Sequence, residues 1–555
     1  MDRLFKFSYY VRFVILACVA LALAACSRSL PIPPPVGGAT ASPTLSQDPT
    51  PSPTHRPQDD ALHPSQDDAP PTRAAQAPIS PLPTPIPPPA VDMGDLSLFR
   101  SALKPDFVAD VEALPGAPRY FIQATLDPDE PTTLAGVQQV RYTNQEDTPL
   151  DDLYFRLYPN LPGYGGSMTV EKVVLNGAPV ETRLEAQNSA LRVPLDPPLA
   201  PGDVVDLTLW FRETLPTDTS AGYGLYAYAD DVYALAGFYP TIPVYDDEGW
   251  NVEVAPPYGD ATFTDVALYQ VQLTVPEDLT VVTSGSTLET SDNDDGTRTW
   301  IAVGGPMRDF FVAMSPDYEV VSQEVDGTRV NSYYRSDQDE GGQLALRYAA
   351  DALRVFGERF APYPYTELDV VATPTNAGGI EYPGAIVVAQ ALYGDEGGFF
   401  ELATAHEVAH QWWYGLVGND QLDEPWLDEA LTNYSAYLYY ADTAGEEAAD
   451  LVKERVFESP YRTAQKDERD RGVAGPVASF SERDYGAIVY GKGPLFFDAL
   501  RAQLGDEAFF AALRAYLEEH RYGVAYPEDL IVAFEETSGQ QIDDLYEFWI
   551  LGQTR

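Results

Sequence analysis

Cysteine is nearly absent from this chain of 555 residues: there are two, Cys18 and Cys26, both at the extreme N-terminus. The rest of the chain can therefore form no disulfide and no cysteine-held metal site. Positive charge is scarce as well. Against 85 Asp and Glu stand 34 Lys and Arg, a formal net charge of −51. That balance excludes the basic footprint nucleic-acid binding requires and the basic patch that docks on anionic lipid. An acidic surface repels itself and keeps a protein soluble, and it also attracts cationic ligands. Histidine is rare, with five in all, so any pattern that uses two of them carries weight. Hydrophobic content of 45% with 12% aromatics is that of a globular protein. The length exceeds what one core sustains, so two or three domains are expected.

The N-terminus carries Arg3, Lys6 and Arg12, then an apolar run from Phe13 to Ala25. That run is short against the about 20 residues of a spanning helix, and with its basic start it reads as a secretory signal over 1–25. Leu23-Ala24-Ala25-Cys26 resembles the lipobox of bacterial lipoproteins. The resemblance implies lipidation at Cys26 and a body held outside the cytoplasm by an N-terminal membrane anchor. A plain signal peptide or an uncleaved anchor is the other reading, and it places the body on the same side. Residues 26–95 are rich in proline, as in Pro31-Ile32-Pro33-Pro34-Pro35 and Pro85-Ile86-Pro87-Pro88-Pro89. Too few large apolar residues occur there to offset the entropy of ordering, so the segment is expected to be a tether. His55 and His63 fall in it and are discounted as ligands.

Residues 96–335 read as β structure. Val205, Leu207, Leu209 and Phe211 alternate with polar or half-polar neighbours, and Asn176-Gly177 marks a tight hairpin. An antiparallel sandwich or curved sheet is expected. Character changes near Ser336. Residues 343–360 are helical in period, Leu368–Ala372 and Ala385–Val388 are strand candidates, a helix is expected over 399–414, and another starts near Pro425. From about Glu446 onward the chain is mainly helical. The expected domains are thus 96–335 and 336–555.

The chemistry concentrates between Glu401 and Tyr434. His406-Glu407-Val408-Ala409-His410 places two imidazoles one helical turn apart on one face. Imidazoles at that spacing can hold a zinc ion, with Glu407 placed to act on a water beside it. Glu429, from the following helix, can supply a third ligand, and three protein ligands are the mark of a catalytic rather than a closed structural site. The bland alternative is an amphipathic helix with two incidental histidines. Trp412 and Trp413 read as core, and His520 as structural or exposed.

His406-Glu407-x-x-His410 with Glu429 inside Trp426-Leu427-Asp428-Glu429-Ala430 resembles the gluzincin metallopeptidases, the family of alanyl aminopeptidases and leukotriene hydrolase. Gly378-Gly379-Ile380-Glu381-Tyr382 is similar to that family's exopeptidase motif, and Tyr485 with Tyr490 in Asp484-Tyr485-Gly486-Ala487-Ile488-Val489-Tyr490 to its tyrosine pair. Ile380 stands for the usual Met, Tyr382-Pro383 for Asn, and Asp428 and Ala430 for Asn and Gly. The resemblance covers about 96–555. It implies a multidomain α+β fold: an N-terminal antiparallel β-sheet domain, then a thermolysin-like zinc catalytic domain with a mainly helical C-terminal part. It also implies one zinc ion held by His406, His410 and Glu429. Glu407 would be the general base, and Tyr490 the oxyanion donor. Glu381, with Gly378, Gly379 and Tyr485, would bind substrate. Glycine at 378 and 379 allows a tight turn or a close backbone approach. The implied partners are peptides with a free N-terminus and the membrane; no nucleic acid and no obligate protein partner is expected. Two other readings stay open: a zinc endopeptidase or other hydrolase on the same fold, and a non-catalytic surface binding lipoprotein.

Overall fold

The computed structural model describes residues 92–162, 164–394 and 398–553. The expected signal 1–25, Cys26 and all of the tether before residue 92 lie outside the described residues. The protein is α+β, with a strand-rich N-terminal part and a mostly helical C-terminal part.

An eight-stranded sheet dominates the first part. Its order is Ser286–Asp292, Thr297–Met307, Ala267–Pro276, Arg119–Leu126, Thr133–Thr143, Val204–Thr214, Ser167–Leu175 and Ala178–Pro179. Val204–Thr214 shows why the alternation mattered: Val205, Leu207, Leu209 and Phe211 are buried, while Asp206 is exposed and Thr208 and Trp210 are half-buried. Asn176 and Gly177, at φ 48° and 83°, make the two-residue turn that the right-handed strand twist favours. One pairing departs from the antiparallel expectation, since Arg119–Leu126 runs parallel to Ala267–Pro276. A short hairpin forces antiparallel neighbours; a strand returning after a long excursion is under no such constraint.

Tyr318–Val325 and Thr328–Arg335 pair with each other, and the latter joins Glu367–Thr373, Ala385–Ala389 and the edge strand Gly379–Ile380 in a five-stranded mixed sheet. The boundary drawn between 335 and 336 therefore cuts through a sheet. Period-two alternation marks the two faces of a strand but does not name its partner. Helix α1 (Asp339–Arg359) makes the crossover between the parallel strands Thr328–Arg335 and Glu367–Thr373.

Helices α2 (Gly398–Ala409) and α3 (Trp426–Thr443) follow the sheet. The α2 helix stops five residues before the expected Tyr414. There the chain turns back: Gly415 N–H donates to His410 O at 2.9 Å, and Tyr414 sits at φ 118°. Arg308, from the strand-rich part, holds that turn by donating from Nε to Tyr414 O at 2.6 Å. A long-range contact of this kind leaves no local signal. Trp412 and Trp413 are buried as expected, edge-on to Phe356 and Phe360 respectively. Tyr269 and Phe310 from the first part share one core with Phe356 and Trp412. Among the described residues no helix is long and apolar enough to cross a membrane.

Candidate metal centre and active site

His406, in the last turn of α2, and His410, the residue just after it, whose N–H still donates to His406 O at 3.2 Å, share one face, and α3 brings Glu429 opposite them. The three inward atoms form a small triangle. His406 Nε2 and His410 Nε2 are 3.1 Å apart, and Glu429 Oε2 lies 3.2 Å from the first and 3.4 Å from the second. Ligands at the ~2.0–2.1 Å zinc bond lengths of a tetrahedral site sit ~3.3 Å from one another. The outer nitrogens are tied: His406 Nδ1 to Asn433 Oδ1 at 3.0 Å, and His410 Nδ1 to Trp413 O at 2.9 Å. Donation from Nδ1 to these oxygens leaves each Nε2 a free lone pair aimed inward, the tautomer a metal ligand needs. Glu429 Oε2 is buried and has no hydrogen-bond partner, and the residue is 3% exposed. An orphaned carboxylate oxygen between two imidazole lone pairs fits a divalent cation, and the mixed nitrogen and carboxylate set suits zinc.

Charge in the site is one-sided. Glu381, Glu407, Asp428 and Glu429 are all buried. Burial first, then Glu381 and Glu429, push the Glu407 carboxyl well above its usual range, although His410 opposes this. Burial followed by Glu429 raises Asp428 to about 7. For Glu429 burial works the other way from its neighbours; the contacts with His406 and His410 prevail and hold its carboxyl low. Burial disfavours a proton on His410, yet Glu381 and Glu429 outweigh it and raise that imidazole. Surroundings that draw a proton to this cluster would equally stabilise a metal dication.

Gly379 lies against Glu407: a Cβ there would come within 2.4 Å of its Cγ and Oε1. A close backbone approach, not a turn, is therefore what glycine permits at 379. At Gly378 a Cβ would meet Phe399 at 3.1 Å. The edge strand so placed delivers Glu381 to the site. Glu381 Oε1 accepts from Gln421 Nε2 at 2.9 Å, and the same nitrogen donates to Asp428 Oδ2 at 2.8 Å. Glu381, Glu407 and His410 offer atoms within 4.8 Å of one another, a second possible ligand trio beside the first.

Tyr490 enters from a π-helical turn over Ile488–Lys492, a distortion that recurs at functional sites. Its hydroxyl donates to Glu429 Oε1. Asn433, which orients His406, also donates to Tyr490 O at 3.0 Å, so one side chain positions both. Burial, then Glu429, push the Tyr490 phenol well up, so it keeps its proton. Tyr485 packs edge-on to Tyr490 with ring centroids 5.5 Å apart, and its buried hydroxyl has no partner. His406, His410, Glu429, Glu407, Glu381, Gly379, Tyr490 and Tyr485 are thus linked by these contacts, whereas Gly378 meets Phe399 and Cys26 lies outside the described residues. Gln421, Asn433, Asp260 and Asp309 also belong to the site region, and sequence reasoning passed over them. Asp260 and Asp309 are ordinary acidic residues among 85, with no motif around them.

Residues 344–549 match the model of the peptidase family M1 domain. The chain is 27% identical to aminopeptidase N of Streptomyces lividans over 404 residues, 69% of this chain and 45% of that protein. It is 30% identical to aminopeptidase M1 of Arabidopsis thaliana over 300 residues, 51% of this chain and 34% of that protein. The matched part is less than half the length of either relative. Among solved structures, an M1 zinc metallopeptidase from Deinococcus radiodurans has a TM-score of 0.61 at 20% identity, covering 79% of this chain and 95% of that one. A point mutant of the Deinococcus enzyme bound to a Tyr-Ser-Ala substrate gives a TM-score of 0.57 at 19% identity. At these identities the likeness to the solved structures is one of fold.

Proposed function

We propose that the protein is a zinc aminopeptidase that removes the first residue of peptides with a free N-terminus, a reading supported by the match of residues 344–549 to the peptidase family M1 domain. The observation that carries this reading is the position of Glu381, whose carboxylate shares a 4.8 Å cluster with Glu407 and His410. A peptide ammonium paired with Glu381 leaves only its first peptide bond within reach of Glu407. Gln421 keeps the carboxylate oriented between substrates. Holding the reacting groups in register in this way accounts for several kcal/mol of barrier reduction.

His406, His410 and Glu429 would hold the zinc ion, which supplies Lewis-acid polarisation of the scissile carbonyl and makes water a stronger acid. Glu407 takes the proton of the attacking water and returns it to the leaving amine. Its burial raises its proton affinity in the direction a general base at neutral pH requires. The Tyr490 hydroxyl donates to the oxygen that gains charge as the carbonyl becomes tetrahedral.

Fluorogenic substrates with free and with acetylated N-termini test the reading. Wild-type protein should cleave the free series and leave the blocked series nearly untouched. Glu381→Ala should lower kcat/KM on free substrates by about 10–100-fold, the worth of one charged contact, with no such effect on blocked ones. Faster cleavage of blocked substrates would point to an endopeptidase and overturn the aminopeptidase reading.

We also propose, from Leu23-Ala24-Ala25-Cys26 alone, that the mature protein is lipid-anchored outside the cytoplasm. Cys26→Ser should shift it from the membrane to the soluble fraction of the producing cell. An unchanged partition would remove the lipid anchor from the proposal.

A further inference from the structure

A cavity with about 1010 Å³ of empty space, part of it open to solvent, adjoins Glu381. Aromatic side chains from both halves wall it, among them Tyr164, Tyr223, Tyr239, Tyr382 and Tyr414. Besides Glu381, two carboxylates break this wall, Asp260 and Asp309. Asp260 lies on the metal side, near enough to Glu381 and Glu429 for both to raise its carboxyl after burial has done so. Asp309 lines the same cavity, and Glu381 is near enough to add to the rise that burial causes in its carboxyl.

Asp309 is incompletely satisfied. Its Oδ2 accepts from the Tyr414 hydroxyl, whereas its Oδ1 is buried and has no partner. The adjacent cation does not complete it. Arg308 donates from all three guanidinium nitrogens to main-chain carbonyls, those of Tyr414, Thr264 and Gly523. Burial raises the Asp309 carboxyl to about 7. A buried carboxylate oxygen left open is costly to fold around. The backbone of Tyr414, at φ 118°, is a conformation that residues other than glycine rarely adopt. It is locked by Arg308 on its carbonyl and by a 2.8 Å bond from its own N–H to Val417 O. Conformations of this kind persist where they aim a side chain at a functional site, and here the side chain aimed is the one that holds Asp309.

We infer that this cavity receives the side chain of the substrate's first residue, and that Asp309, held by Tyr414, selects a cationic side chain there, arginine first. The inference rests on the aminopeptidase reading, because that reading puts the substrate ammonium at Glu381 beside the cavity mouth. A guanidinium suits the site better than other tips. It is flat and stacks on aromatic faces, and its fork of N–H donors suits a carboxylate in an aromatic wall. Lysine brings the charge without the plane. Leucine would bury the open Asp309 oxygen without giving it a donor.

The test compares arginyl, citrullinyl and leucyl fluorogenic amides on zinc-loaded wild-type protein and on Asp309→Asn. Citrulline keeps the shape of arginine and loses the charge. Wild-type kcat/KM for arginine should exceed that for citrulline by about tenfold or more, as expected for a charge-assisted contact. In Asp309→Asn that ratio should fall towards one. Calorimetric binding of free L-arginine and L-citrulline to Glu407→Gln protein provides a second readout that needs no turnover, with the same preference expected. Equal handling of the two by wild-type protein in both assays would overturn the inference. So would an Asp309→Asn loss of the same factor on all three amides, which would make Asp309 a partner of the ammonium instead. If no amide is cleaved while L-arginine still binds better than L-citrulline, the pocket inference stands and the peptidase reading fails.

Discussion

Glu407→Gln should retain one zinc per chain while kcat on free-N-terminus peptides falls by about 10²–10⁴, the usual contribution of a positioned general base. The substitution changes almost no volume. Glu407 is 5% exposed and packs directly on Gly379, so a larger or smaller residue would disturb the edge strand that carries Glu381. Glutamine fits the same space and cannot accept the proton. Zinc should stay because the converging atoms are those of His406, His410 and Glu429. Metal analysis together with steady-state kinetics separates the outcomes. Loss of zinc from Glu407→Gln would favour the other possible ligand trio, Glu381, Glu407 and His410. Near-normal activity would remove Glu407 from the chemistry altogether.

Tyr490→Phe should lower kcat by about 10²–10³ with little change in KM, the range for loss of one oxyanion donor. The phenol starts on Glu429 Oε1, and its role in catalysis requires it to leave that oxygen for the substrate as charge develops. The same contact raises a competing explanation. Removing the hydroxyl also strips a hydrogen bond from a proposed metal ligand, and outer-shell losses of this kind weaken metal affinity about 10–100-fold. Zinc content and zinc-rescue measurements distinguish the two. If excess zinc restores Tyr490→Phe to wild-type turnover, Tyr490 is a positioning residue acting through Glu429. If the protein is fully loaded and still slow, the hydroxyl serves the transition state.

The parts of the site legible in the sequence share a property: each is encoded within a few residues. His406 and His410 are readable because an α-helix puts positions four apart on one face whatever surrounds it. The alternation around Leu207 and Leu209 is readable because a strand exposes its two faces in turn. The Asn176-Gly177 turn is readable because few residue pairs accept positive φ twice in succession. Glu381 and Tyr490 came from resemblance to a family, not from any periodicity, and the structure places both beside the His406–His410 pair, with Tyr490 on Glu429 Oε1.

What escaped the sequence is non-local. No pattern could announce that Arg308 would reach over 100 residues along the chain to end α2 at Ala409 and turn Tyr414. Nor could one tell that Thr328–Arg335 would pair with Glu367–Thr373, because backbone hydrogen bonding between strands is indifferent to which side chains they carry. Asp260 and Asp309 gain their character from burial beside other carboxylates, and burial arises only once distant segments have packed. The order of residues along the chain thus contains the metal-binding helix, the turns and the strand faces. The choice of sheet partners, the end of the helix and the shape and charge of the pocket beside Glu381 depend on contacts between segments far apart in the chain. Their energies exist only in the folded state.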